Sequence, residues 1–140
     1  MKKLLFALAI CVTSLQASVV ELKTVAEFES LMKSAAVPVV VQLEAYWCGP
    51  CQSLKATFNK VAPSYTENQV ILARIDAYVN KGVAGYLQGG YPTVRVFKNG
   101  NVSSESFTGS KSESYLRQFI DSVKVAEIEE DENGAFCPLN

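Results

Sequence analysis

Histidine is missing from this chain of 140 residues, and only four of its residues are cysteine. Without histidine the commonest metal ligand is gone. A structural zinc site needs four nitrogen or sulfur ligands, and only Cys137 remains to join the close pair Cys48 and Cys51. A c-type haem site needs histidine after the second cysteine of the pair, where Gln52 stands. No metal and no cofactor is therefore expected. Basic clusters are missing as well. With 13 Lys and Arg against 14 Asp and Glu, the formal net charge is −1, which argues against a nucleic-acid partner. There is no internal repeat and no low-complexity segment. The apolar run Leu4 to Leu15 is too short to be a good membrane span.

What is present is ordinary globular composition, 49% hydrophobic and 19% charged, enough for one domain with appendages. The charge is uneven. Residues 1–17 hold two basic residues, Lys2 and Lys3, and no acid. Residues 126–140 hold five acids, Glu127, Glu129, Glu130, Asp131 and Glu132, and no base. The stretch between them keeps 11 basic and nine acidic residues, about +2.

Residues 1–17 read as a signal peptide, with a basic start, an apolar stretch and a small residue, Ala17, at the cut point. The alternative is an uncleaved N-terminal anchor. Ile10 before Cys11 is too large for a lipoprotein cleavage box, so no lipid anchor is expected. The chain is read as exported, to the periplasm if the cell is Gram-negative and otherwise secreted. Without the leader the net charge is about −3, and three thiols remain, Cys48, Cys51 and Cys137. They face oxidising surroundings. Residues 126–140 read as an acidic, solvated tail, and the alternative is that Cys137 serves as a third redox cysteine.

Between these lies the domain, residues 18–125. Ser18 to Leu22 reads as a strand. Thr24 with Glu27 forms a capping box, and Val25, Phe28, Leu31, Met32 and Ala35 repeat at helical spacing. Val37 to Leu43 is apolar on both faces, as a parallel strand between helices should be, and the pattern breaks at Gln42 and Glu44. A helix follows to about Val61, then a strand Val70 to Ile75 closed by Asp76, and a short helix Asn80 to Leu87. Thr93 to Phe97 and Val102 to Phe107 are strands joined through Asn99-Gly100, a tight-hairpin signal. Ser110 with Glu113 reads as a second capping box. Tyr115, Leu116, Phe119, Ile120 and Val123 make the apolar stripe of a last helix. The order βαβαβαββα gives an α/β fold, a central mixed sheet with helices on both faces.

Trp47-Cys48-Gly49-Pro50-Cys51 sits where the second strand passes into a helix. Two thiols three apart close on each other once the backbone turns into a helix. The first lies at the helix N-terminus, where free N–H groups and the dipole favour an anion. That makes Cys48 the attacking sulfur and Cys51, one turn inside, the resolving sulfur. Pro50 needs no N–H partner so near the helix start. A purely structural disulfide is the alternative, though closing so small a loop stabilises little.

This motif, with Tyr91-Pro92-Thr93, the hairpin Phe97-Lys98-Asn99-Gly100, Gly109 and the last helix, resembles the thioredoxin family from about Val19 to Val125. The resemblance implies the thioredoxin fold and protein-disulfide oxidoreductase activity through Cys48 and Cys51. It implies a cis-proline at Pro92 facing the dithiol. It also implies an apolar groove of Trp47, Gly49, Pro50, Tyr91, Pro92 and Gly109 that takes an extended peptide around a disulfide. The partners it implies are disulfide-containing proteins; export adds a membrane electron donor or acceptor, and the chain itself is expected to be a monomer. Gly-Pro between the cysteines is the pair of reducing members, so reduction is the expected direction. An oxidase or isomerase, and a non-catalytic peptide-binding module, are the alternatives. The chain also departs from the family. Gln42 replaces the usual buried carboxylate, Leu72 its usual lysine partner, and Ala56 a helix-kinking proline. Glu44 lies two residues after Gln42, on the same strand face, and is expected to accept the proton in place of that carboxylate. A carboxylate without a role is the alternative.

Overall fold

The computed structural model describes residues 15–126. Most of the expected leader, with Cys11, and the acidic stretch 127–140, with Cys137, lie outside the described residues. Among the described residues the strands are β1 Val19–Leu22, β2 Val39–Glu44, β3 Ile71–Asp76, β4 Thr93–Lys98 and β5 Asn101–Ser106. The helices are α1 Val25–Ser34, α2 Gly49–Val61 and α3 Glu113–Val123. Short 3₁₀ turns stand at Ala62–Ser64 and Lys81–Tyr86.

The strands form one sheet in the order β1-β3-β2-β4-β5. β1, β3 and β2 run parallel, while β4 is antiparallel to β2 and β5 to β4. Side chains alternate across a strand, and β2 sends Val39, Val41 and Leu43 into a core shared with Phe28 and Met32 of α1. Val40 faces the other way, into a core with Leu54, Phe58 and Val61 of α2 and Leu116 and Ile120 of α3. All six residues of β2 are buried. Gln42 and Glu44 therefore face α2, inside the protein.

Local chemistry explains the ends of most elements. Thr24 Oγ1 accepts from the Glu27 N–H at 3.1 Å, and Glu27 reaches back to the Lys23 N–H at 2.8 Å. The first bond satisfies a free donor at the start of α1, and the second pins the residue before the N-cap. Asn99 and Gly100 both have positive φ, 51° and 78°. This is the backbone a tight hairpin needs and the reason asparagine and glycine stand there.

Several expectations are corrected. Ser110 does not cap α3. The N-cap is Ser112, without a side-chain bond, and Ser110 Oγ accepts from the Ser112 N–H instead. Thr57 of α2 holds the preceding loop through the Lys111 carbonyl at 2.9 Å, and Glu113 pairs with Lys60 at 3.3 Å. The expected helix 80–87 is a 3₁₀ turn, because Gly82 and Gly85 weaken an α-helix there. Tyr115 is not in the core. It is 53% exposed, one position off the buried line Leu116, Ile120 and Val123. β2 starts at Val39 rather than Val37 and runs on through Glu44. At the other end, Leu15, Gln16 and Ala17 are described although the sequence assigns them to the leader. Ala17 packs into the α2 side of the core, and its N–H donates to the Tyr65 carbonyl at 2.8 Å.

Candidate active site

Cys48 is the N-cap of α2, its backbone still extended, and Pro50 occupies the first turn. Cys48 and Cys51 are joined in a disulfide with Cα atoms 5.3 Å apart. The Cys51 N–H, one of the donors left free at a helix start, points at Cys48 Sγ at 3.2 Å. The same donor stabilises negative charge on that sulfur once the bond is opened. Cys48 is 5% exposed and Cys51 wholly buried, so Cys48 is the sulfur nearer the surface.

The remaining expected site residues fall around this pair. Trp47 is 57% exposed and meets Tyr91 edge-on at 5.7 Å. Tyr91 also packs against Ala45 and the two cysteines. The Tyr91–Pro92 peptide bond is cis. Gly49 and Pro50 are exposed beside the disulfide. Pro92 and Gly109 line a common cleft of about 220 Å³, whose apolar wall includes Leu54, Val94 and Phe107. At Gly109 an added Cβ would stand 2.8 Å from Tyr115 Cδ1.

Behind the disulfide, Gln42 Nε2 donates to Glu44 Oε2 at 3.1 Å and to the Cys51 carbonyl at 3.0 Å. One amide thus ties Cys51 to the neighbouring carboxylate. Burial pushes the Glu44 carboxyl above its ordinary range. Lys55 and Arg74 oppose the shift, and Glu21 and Asp76 add to it. Leu72, at the family's lysine position, is fully buried.

Two features were not read from the sequence. Arg74 is buried, 3% exposed, on the α2 face beside Gln42. Its signal was a charge inside the apolar run Val70 to Ile75. Tyr46 and Tyr78 extend the exposed aromatics around Trp47, with ring centres 5.8 Å apart and Tyr78 5.7 Å from Trp47. The Asp76 carboxylate holds both loops by accepting from the N–H groups of Tyr46, Tyr78 and Val79, each at 2.9 Å.

The thioredoxin family profile matches residues 19–136. The chain belongs to the thioredoxin family. Its relatives carry two kinds of name. It is 33% identical over 111 residues to a probable thioredoxin-2 of Caenorhabditis elegans, covering 79% of this chain and 75% of that protein. It is also 33% identical over 86 residues to protein disulfide-isomerase erp38 of Neurospora crassa, covering 59% of this chain and only 23% of that protein. The chain thus spans about a quarter of that longer relative. Among solved structures it is similar to Fasciola hepatica thioredoxin, with TM-score 0.64, 30% identity, and 75% of this chain and 99% of that one covered. A mutant thioredoxin of Halobacterium salinarum gives TM-score 0.66 at 25% identity, over 82% of this chain and 98% of that one. The thioredoxin and disulfide-isomerase relatives, with the Cys48–Cys51 disulfide, place the chain among the protein-disulfide oxidoreductases.

Proposed function

We propose that this chain is an exported oxidoreductase that reduces disulfides in other proteins through Cys48 and Cys51. The carrying observation is the disulfide at the head of α2, with the Cys51 N–H aimed at Cys48 Sγ. In the reduced protein the Cys48 thiolate attacks one sulfur of a substrate disulfide. The Cys48–substrate bond forms, the substrate S–S bond breaks, and the departing sulfur carries the electron pair and takes a proton from solvent. Cys51 gives its proton to Glu44 and attacks Cys48 Sγ. The second substrate sulfur then leaves as a thiolate and is protonated, and the protein is left oxidised. Two electrons pass to the substrate, and a partner dithiol, held in the membrane, must return them.

Trp47, Gly49, Pro50, Tyr91, Pro92 and Gly109 form the groove for an extended peptide around the disulfide. The exposed Trp47 and the cleft shared by Pro92 and Gly109 support this. The amide of Gln42, bonded to both Glu44 and Cys51, supports Glu44 as proton acceptor. Export rests on the basic, then apolar, residues 1–17.

Cys51→Ser tests the cycle. It should trap substrates as mixed disulfides on Cys48, and insulin reduction should vanish in Cys48→Ser. A Cys48→Ser variant that still reduces insulin would remove the reading. Measuring the reduction potential separates a reductase from an oxidase or isomerase. Glu44→Gln should flatten the pH dependence of mixed-disulfide release, and an unchanged profile would dismiss Glu44. N-terminal sequencing of the mature protein from culture fractions tests export.

A further inference from the structure

A polar seam crosses the otherwise apolar contact between α2 and the sheet. In the strand register Glu21 of β1 lies beside Arg74 of β3, and Arg74 lies beside Gln42 of β2. The three stand in one row on the face toward α2. Above them Cys51, Lys55 and Asn59 are four residues apart, so they form one stripe of the helix. Row and stripe meet residue by residue. Lys55 Nζ is 3.5 Å from Glu21 Oε1, Arg74 Nη2 donates to Asn59 Oδ1 at 2.6 Å, and Gln42 Nε2 donates to the Cys51 carbonyl at 3.0 Å. Arg74 Nε stands 3.0 Å from Glu21 Oε1, but its N–H is not aimed there, so the pair is held by charge.

The seam is open at one end and closed at the other. The Glu21 side chain is 53% exposed and Lys55 35%, whereas Cys51 is fully buried. It is also costly. Gln42 Oε1 and Arg74 Nη1 are buried without a hydrogen-bond partner among the described residues, and each such group costs about 1–3 kcal/mol. Apolar residues would pack this interface at less cost. Packing alone gives no reason for the seam.

We infer that Glu21, Lys55 and Arg74 are positioning residues, whose charges act along the seam to govern when Glu44, behind Cys51, holds a proton. The inference rests on the reading of Glu44 as proton acceptor. Gln42, on its own strand, donates to Glu44, and the charges that act on it are those of Arg74 and Asp76 on β3, Glu21 on β1 and Lys55 on α2. Lys55 and Arg74 favour the ionised carboxylate; Glu21 and Asp76 oppose it. Glu21 is the pivot, because its carboxylate also engages both cations. Neutralising Glu21 removes a repulsion and frees two attractions. Neutralising Lys55 removes one attraction.

The test is a carbon NMR titration of the Glu44 carboxyl in the full chain, as wild type, Glu21→Gln and Lys55→Gln. Both substitutions are at the open mouth of the seam, and glutamine keeps a polar side chain at each position. The midpoint should fall in Glu21→Gln and rise in Lys55→Gln, each by about half a pH unit, the size of a partly screened unit-charge interaction near a surface. Both shifts should shrink in molar salt. A structural disturbance has no reason to act with opposite sign in the two variants. Midpoints that stay put, or that move the same way, overturn the inference. The pH profile of mixed-disulfide release is read alongside. If the Glu44 midpoints move oppositely but the rates ignore them, the seam stands and the catalytic reading of Glu44 falls.

Discussion

Replacing Gln42 with leucine keeps the volume and removes one amide from behind Cys51. The variant loses a hydrogen bond to the Cys51 carbonyl and one to the Glu44 carboxylate. The first is neutral and contributes about 1 kcal/mol, and the second, to a charge, about 2 kcal/mol. Against this, the orphaned Gln42 Oε1 leaves with the amide, and removing a buried acceptor without a partner returns about 2 kcal/mol. The net loss is about 1 kcal/mol, roughly a fivefold change in the folding equilibrium, while Glu44 is ionised. When Glu44 is neutral its bond weakens to an ordinary one and the loss shrinks toward zero. The amide favours the charged carboxylate, so its contribution is present above the folded-state titration of Glu44 and fades as pH falls through it. Urea unfolding of the oxidised protein, at roughly pH 8 and roughly pH 4 to bracket the raised Glu44 carboxyl, measures this. An equal loss at both values would show that the amide does not sense the charge on Glu44, and would refute the link between them.

Three other outcomes follow from the same geometry. Glu44→Gln should make the oxidised protein more stable at neutral pH. A carboxyl whose folded pKa is raised by burial favours folding only below its unfolded value and loses that contribution as pH rises through the folded one; a variant no more stable than wild type near neutrality would contradict it. Gly109→Ala should push the half-exposed Tyr115 ring aside, changing stability by less than about 1 kcal/mol. It should raise KM for a protein disulfide while sparing a small one, since Gly109 lines the cleft it shares with Pro92 and also the neighbouring hollow lined by Tyr115, whose ring the added Cβ displaces. Asp76→Ala strands three backbone N–H groups. It should cost about 1–3 kcal/mol and loosen the loops carrying Tyr46 and Tyr78, read as faster amide exchange there.

The framework of the fold was legible wherever the local signal was chemical. Thr24 with Glu27 marked a helix start, Asn99-Gly100 a hairpin, and the apolar stretch of β2, interrupted at Gln42 and Glu44, a strand covered on both faces. The dithiol was legible for the same reason, since the spacing of Cys48 and Cys51 across a strand-to-helix junction needs no distant partner to be read. Ser110 and Tyr115 were misread because capping and burial at the start of α3 depend on remote groups. Thr57, fifty-four residues earlier, holds the loop, and the ring of Tyr115 lies over Gly109.

The order of elements, the reactive pair and the missing carboxylate at Gln42 were all set by the chain itself, through periodicity, turn chemistry and spacing. That a buried arginine stands beside Gln42, and that one amide joins Glu44 to Cys51, was decided only when β1, β3 and β2 came into register beneath α2. Register between strands far apart in sequence brings together side chains that no local pattern connects. Burial then gives their charges an influence on one another that they would not have in water.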